Sequence, residues 1–163
     1  MAWDLQAEQR DALAEIYAAF DGVTREGGVS WSEAAVIDGY GTMEERLKAR
    51  ESDTEWNWQE LVDDPLWRAW DGFNFLDPIG FRYYLPVALV RCVRDHDDSI
   101  DFHLDLDREH AREQAGLLTA AQRNAVRSLI LYMAHRADTQ QHRAEKLKWY
   151  GLLDWWPEQT ASE

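Results

Sequence analysis

The run Asp95-His96-Asp97-Asp98-Ser99-Ile100-Asp101-Phe102-His103-Leu104-Asp105-Leu106-Asp107 holds six carboxylates and two imidazoles in thirteen residues. Three chemistries use such side chains. The first is calcium binding. Counted from Asp95, the sixth position is Ile100 where a calcium loop needs Gly, and the twelfth is Leu106 where it needs Glu. The second is zinc binding. His96, His103 and His110 are seven residues apart, as are His135 and His142. On a helix that spacing separates ligands by about 10 Å, too far for one ion. No metal and no cofactor is therefore expected, with a weak divalent-cation site as the alternative for this run. The third chemistry is charge recognition. Asp95, Asp97, Asp98, Asp101, Asp105 and Asp107 would form an acidic edge for a partner, with Trp155 and Trp156 as apolar anchors. A solvated edge that binds nothing is the plain alternative.

A second constellation lies upstream. Trp56, Trp58, Trp67 and Trp70 are interleaved with Asp53, Glu55, Glu60, Asp63, Asp64 and Asp71. Aromatic faces stack on sugars and carboxylates accept hydroxyl hydrogen bonds, so this is a candidate sugar platform. The competing expectation is that Trp67 and Trp70, three apart, pack one helix against the core. Asp38, Arg50 and Asp53 add a third polar set. Arg with Asp could be catalytic or bind an anion, but a half-buried pair that fixes helix packing is the stronger expectation. Nucleophile elbow, phosphate loop and Cys-His signatures are absent. Carboxylates are numerous enough for a chance pair at glycosidase separation, and nothing in the sequence selects one.

Charge bounds the partners. Thirty-one Asp and Glu against seventeen Lys and Arg give a formal net charge of −14. That surface repels nucleic acid and anionic membranes and suits a basic protein. The single cysteine, Cys92, cannot form an internal disulfide and reads as a packed thiol in a reducing compartment. The N-terminus lacks the basic and apolar regions of a signal peptide, and no apolar run reaches membrane-spanning length. A cytoplasmic protein is expected. Smallness, acidity, aromatic richness and missing catalytic motifs lead to an acidic, non-enzymatic binding protein. Its most concrete form is an immunity protein or inhibitor that neutralises a basic toxin such as a nuclease. The alternatives are a carbohydrate- or small-ligand-binding domain using Trp side chains, and a hydrolase with an Asp/Glu/His site.

The elements that must position these residues are helices. Residues 4–20 carry Leu13, Ile16, Tyr17 and Phe20 on one stripe. Ser30 or Ser32 caps a second helix that ends at Gly39 or Gly41, and Gly27-Gly28 reads as a turn. Thr42 with Glu45 and Thr119 with Gln122 are capping boxes, opening helices to about Arg50 and Arg136. Asp64-Pro65 marks a break between two short helices. Residues 108–115 read as helix, and a basic helix over 140–150 is expected to stop at Gly151. Ile100, Phe102, Leu104 and Leu106 alternate with polar residues, a pattern of period two that allows one short β element over 99–107. The fold class is mostly α: one domain over residues 1–163, six or seven helices around a Trp-rich core. The tail from 146 to 163 is expected to dock on it.

The centre of the chain is its most apolar segment. Asp77-Pro78 reads as a helix start. Phe81, Tyr84, Leu85, Ala88, Leu89 and Cys92 then recur at spacings of three and four, while Arg82, Arg91 and Arg94 fall mostly off that face. Pro86 cannot donate to the carbonyl of Arg82, so a kink or short break is expected there. The pattern formed by Phe73, Phe75, Leu76, Pro78, Phe81, Arg82, Tyr84, Leu85 and Pro86 resembles the signature of an uncharacterised bacterial family of small proteins, a domain of unknown function. Flanking residues agree: Glu33-Ala34, Ile37-Asp38, Tyr40-Gly41, Ala49-Arg50, Asp53 and Trp58 upstream, and Leu118-Thr119, Gln122 and Ala125-Val126 downstream. The resemblance spans residues 29 to 135 and leaves out the tail after Lys146. It implies a bacterial, cytoplasmic, single-domain protein, and it implies no activity, substrate or catalytic residue.

Overall fold

The structure, a computed structural model, describes residues 2–69 and 72–160. Among these are seven α-helices: α1 Leu5–Ala19, α2 Trp31–Asp38, α3 Met43–Ser52, α4 Pro78–Asp95, α5 Glu109–Gln114, α6 Ala120–Thr139 and α7 Arg143–Leu152. No strand occurs among the described residues. Side-chain caps explain most helix starts, because each satisfies backbone donors that the first turn leaves open. Ser30 with Glu33 closes a capping box on α2, and Thr119 with Gln122 closes one on α6. Thr42 accepts from the Glu45 N–H at α3. Asp77 Oδ1 accepts from the Gly80 N–H (2.9 Å) at α4 and also from Val29 N (2.9 Å). That second bond draws the 27–29 turn onto the first turn of α4. A Cβ on Gly80 would sit 2.4 Å from the Val29 carbonyl oxygen, so the approach requires glycine.

The helices gather into two compact units. One comprises Met1–Asp21, Leu89–Asp98 and Leu118–Glu163; the other comprises Gly22–Ala88 and Ser99–Leu117. In the first, α6 packs on both α1 and α7. Its buried side chains include Ile16, Phe20, Val126, Leu129, Ile130 and Trp149. In the second, α2 packs on α3 and on the short 3-10 turn Phe73–Phe75. Trp58, Trp67, Phe73, Phe81, Tyr83 and Tyr84 fill its core. Residues 78–88 of α4 belong to the second unit and 89–95 to the first. No helix among the described residues is long and apolar enough to cross a membrane.

Several expectations need correction. Pro86 does not break α4, which runs through it from Pro78 to Asp95. A helical proline costs about 3 kcal/mol. Every residue from Tyr83 to Val90 is buried, and each large apolar side chain removed from water contributes about 1.5–3 kcal/mol. Burial outweighs the lost hydrogen bond. Residues 99–107 form no β element; Asp101–Leu104 is a 3-10 turn. It buries the adjacent His103 and Leu104 together and leaves Phe102 exposed, so the period-two pattern of the sequence is not read out. Gly151 lies inside α7. Between Asp53 and Ala69 only Trp58–Leu61 is helical, as a 3-10 turn, so Trp67 packs from irregular chain. Trp70 and Asp71 lie outside the described residues.

Candidate functional site

The second unit contains a cleft of ≈ 460 Å³ lined by Trp31, Ser32, Ser52–Glu55, Glu60, Leu61, Asp64, Leu66 and Trp67. Its walls come from the start of α2, the end of α3 and the irregular chain after it. The cap on α2 accounts for one wall. With Ser30 as N-cap, the free N–H of Ser32 points out of the helix end, and Asp53 takes it (Oδ2, 2.8 Å). Asp53 Oδ1 also accepts from Ser32 Oγ (2.6 Å). A carboxylate at a helix N-terminus is favoured by both the open donors and the helix dipole.

Behind this wall lies a charged network. Arg25 Nη1 is 3.6 Å from Asp53, 3.2 Å from Glu55 and 3.1 Å from the Tyr84 hydroxyl, and Nη2 donates to the Asp53 carbonyl (3.0 Å). Tyr84 donates to Glu55 Oε1 (3.0 Å) and accepts from Trp31 N (2.9 Å). Burial acts against the charge on Arg25, but Tyr84, Glu55 and Asp53 outweigh it and raise its pKa. Burial, then Glu55, drives the Tyr84 pKa upward, so the hydroxyl keeps its proton and remains a donor. A second cleft of ≈ 400 Å³, lined by Arg25, Arg50, Glu55, Trp56 and Tyr83 among others, shares Glu55 with the first.

Aromatic packing makes the floor. Trp31 lies 4.8 Å from Trp67, 5.4 Å from Phe73 and 5.4 Å from Tyr84, centroid to centroid. Trp67 is 3 % exposed, so its faces are taken by the core. By contrast Leu66 is 86 % and Trp56 91 % exposed. Glu60 uses Oε2 to accept from the Trp56 and Asn57 N–H groups (2.7 and 3.0 Å). Asp64 Oδ1 accepts from Leu66 N (2.9 Å). Four carboxylates thus surround the cleft, with one guanidinium bonded to two of them.

The residues assigned to a partner edge are distributed differently. Asp95, Asp97 and Asp98 fall in the first unit; Asp101, Asp105 and Asp107 fall in the second. Asp95 pairs with Arg94 (2.7 Å), a hydrogen bond that holds its carboxyl below the usual range. Asp98 pairs with Lys148 (3.1 Å), and Asp105 accepts from the Asp107 N–H (3.1 Å). Trp156 is 1 % exposed and its carbonyl accepts from Arg127 (2.9 Å), so it is a core residue and not an anchor. Trp155 is 37 % exposed. Arg50 and Asp53 do not pair: Arg50 lies 3.5 Å from the buried Glu33, which Arg46 also holds (2.9 Å). Of the signature, Phe73, Leu76, Phe81, Tyr84, Leu85 and Pro86 are buried, while Phe75 is 39 % exposed.

Asp53, Glu55, Glu60, Asp64 and Trp67 were already marked by the alternation of Trp with acid. Arg25, Trp31 and Ser32 were not, because they stand more than twenty residues upstream. Only the helix start expected at Ser30 or Ser32 hinted that donors would be displayed there. Among the described residues no group of three His, Cys, Asp or Glu is placed to hold a metal ion.

No curated protein and no solved structure matches the chain. A family model described as a family of unknown function, DUF6714, matches residues 8–160. The match takes in the Trp-rich tail that the signature resemblance left out. Since it covers nearly the whole chain, the protein belongs to the family of unknown function DUF6714.

Proposed function

We propose that this protein is a non-enzymatic acidic binding protein whose partner is a basic protein. In its most specific form it is an immunity protein or inhibitor that covers the positive site of a toxin such as a nuclease. The observation that carries the reading is the cleft. Asp53, Glu55, Glu60 and Asp64 concentrate negative charge around one concavity, and the nearly fully exposed Leu66 stands on its rim. Trp56 extends the apolar surface across the second cleft that Glu55 joins to the first. An exposed tryptophan is the residue type most enriched in protein-binding hot spots, and charged groups around it suit the polar rim of such an interface. The net charge of −14 adds long-range steering toward a basic partner.

A sugar site is the weaker reading. Ser32, Ser52 and Thr54 would suit hydroxyl groups, but Trp67 is 3 % exposed, which leaves half-buried Trp31 as the cleft's stacking ring, and the carboxylates around it favour a cation over a neutral sugar.

The test is capture of partners by the full chain from cells that make it, followed by association kinetics for the captured protein at two salt concentrations. A basic protein is expected, with an association rate that falls as salt rises. Neutralising Glu60 and Asp64 should slow association about tenfold at low ionic strength. Neutralising Asp97, Asp98, Asp101 and Asp105 together should slow it less. If the edge variant is the slower one, the edge and not the cleft is the docking face. Recovery of no basic protein sinks the reading.

A further inference from the structure

We infer that the cleft between α2 and the chain after α3 receives an arginine side chain of the partner, its guanidinium held by Glu55 and Glu60 and laid beside Trp31. This rests on the reading of the protein as a binder of a basic partner and names the group recognised. Three observations carry it. The first is that the fold already holds one guanidinium with the same carboxylate: Arg25 sits 3.2 Å from Glu55, with Asp53 and the Tyr84 hydroxyl alongside. The chemistry of a guanidinium against this wall is therefore realised once within the unit.

The second is the state of the carboxylate oxygens. The Glu55 side chain is only 8 % exposed. Its Oε1 accepts from Tyr84 and faces Arg25, while Oε2 takes no hydrogen bond among the described residues. Glu60 likewise serves two backbone N–H groups with Oε2 and leaves Oε1 without a hydrogen bond among the described residues. Glu60 is exposed, so water already serves its second oxygen; Glu55, which lines the cleft with little of its side chain open, gains more from an incoming charged donor. The third is the neighbouring ring. Trp31 lines the cleft and is half-buried, held in place by Trp67, Phe73 and Tyr84. A planar guanidinium stacks on an aromatic face and forks onto carboxylates; an ammonium does only part of this. The volume, ≈ 460 Å³, lies in the range of small-ligand sites, about 300–1,000 Å³.

The probes are three tripeptides, acetyl-Gly-Arg-Gly-amide and its lysine and citrulline counterparts, titrated into the isotopically labelled full-length protein and followed by NMR. The arginine peptide should move the Trp31 indole resonance and the amides of residues 52–55. Citrulline has the same shape without the charge and should bind about tenfold or more weakly, the loss of one charge-assisted contact. Glu60→Gln with Asp64→Asn should weaken the arginine peptide to a similar degree. Both amides keep an oxygen for the backbone N–H groups, so the fold survives. Glu55→Gln should do the same, and Glu60→Gln carries the test if that variant fails to fold. Equal shifts with citrulline, shifts confined to residues outside the cleft, or no shift at tens of millimolar peptide would overturn the inference. A lysine peptide that binds as well as arginine would overturn the choice of guanidinium. A basic partner that is captured yet indifferent to these variants sinks the inference and leaves the partner reading standing. An arginine peptide that binds while no basic protein is captured does the reverse.

Discussion

His103 is 5 % exposed and lies 5.2 Å from the Phe73 ring and 5.3 Å from the Phe102 ring. Its Nδ1 has no hydrogen-bond partner among the described residues. Desolvation, and then the charges of Arg108 and His110, push its pKa down to about 4. An unfolded histidine titrates near about 6.5. Between those values the unfolded chain binds a proton that the folded chain refuses, so stability falls as pH drops from about 6.5 to about 4. The loss should total about 3 kcal/mol, an order-of-magnitude figure for one buried group. Urea midpoints at pH 7 and 4.5 should differ accordingly, and the His103→Leu variant should lose part of that difference; an unchanged pH slope in the variant would assign the acid sensitivity elsewhere. Tyr40 gives a second prediction. It holds φ 57 at the end of α2 and is 97 % exposed. A β-carbon in that region costs about 1 kcal/mol that glycine avoids. Tyr40→Gly should therefore be neutral or stabilise by up to about 1 kcal/mol; clear destabilisation by thermal melting would contradict this. Neither site was legible beforehand. Residue types were visible, but burial of His103 and the backbone state of Tyr40 are set by tertiary packing. Arg50 shows the same limit: it was matched to Asp53, three residues away, and found Glu33 instead.

Helix starts were the most legible feature. A cap depends on residues three apart: the expected box at Thr119 closes, Asp77 caps α4, and Ser30 is the cap of α2 and closes a box with Glu33 that was not expected. At Thr42 the hydroxyl accepts from the Glu45 N–H and donates to its carboxylate instead of closing the expected box. Helix interiors and ends were less legible, because burial overrides local preference. Pro86 and Gly151 both sit inside helices despite their propensities. The chain from 53 to 69 is irregular and carries no period, and its Trp67 is placed by contacts with Trp31 and Phe73 instead of by a helix. Helix α4 should dominate the stability of the elements around it. Phe81 is fully buried and meets Phe73 edge to face at 5.8 Å. Phe81→Ala should cost about 3–5 kcal/mol in chemical denaturation. A loss under about 1 kcal/mol would mean the signature is not structural. Gly80→Ala should also destabilise by more than the ~1 kcal/mol gained from alanine's helix propensity, since its Cβ would collide with the Val29 carbonyl. A variant as stable as the parent would show that the 27–29 turn moves aside freely.

Across the whole molecule, composition supports the proposed basic partner and gives no location for it. The net charge of −14 is a sum and has no address. The run from Asp95 to Asp107 looked like the address because its carboxylates are contiguous, yet Arg94, Lys148 and local turns engage several of them. The cleft gathers fewer carboxylates from separated positions, sets them around a concavity and places bare Leu66 beside them. Concavity and exposed apolar area are products of folding and cannot be counted in a sequence. The claim that this cleft is the docking face is tested most directly by a photo-reactive residue at position 66 in the living source cell, with one at position 102 as the comparison. Irradiation should join position 66 to a basic protein, and Glu60→Gln with Asp64→Asn should abolish most of that adduct. Absence of an adduct at 66, an adduct indifferent to those substitutions, or a stronger adduct from 102 would contradict the account.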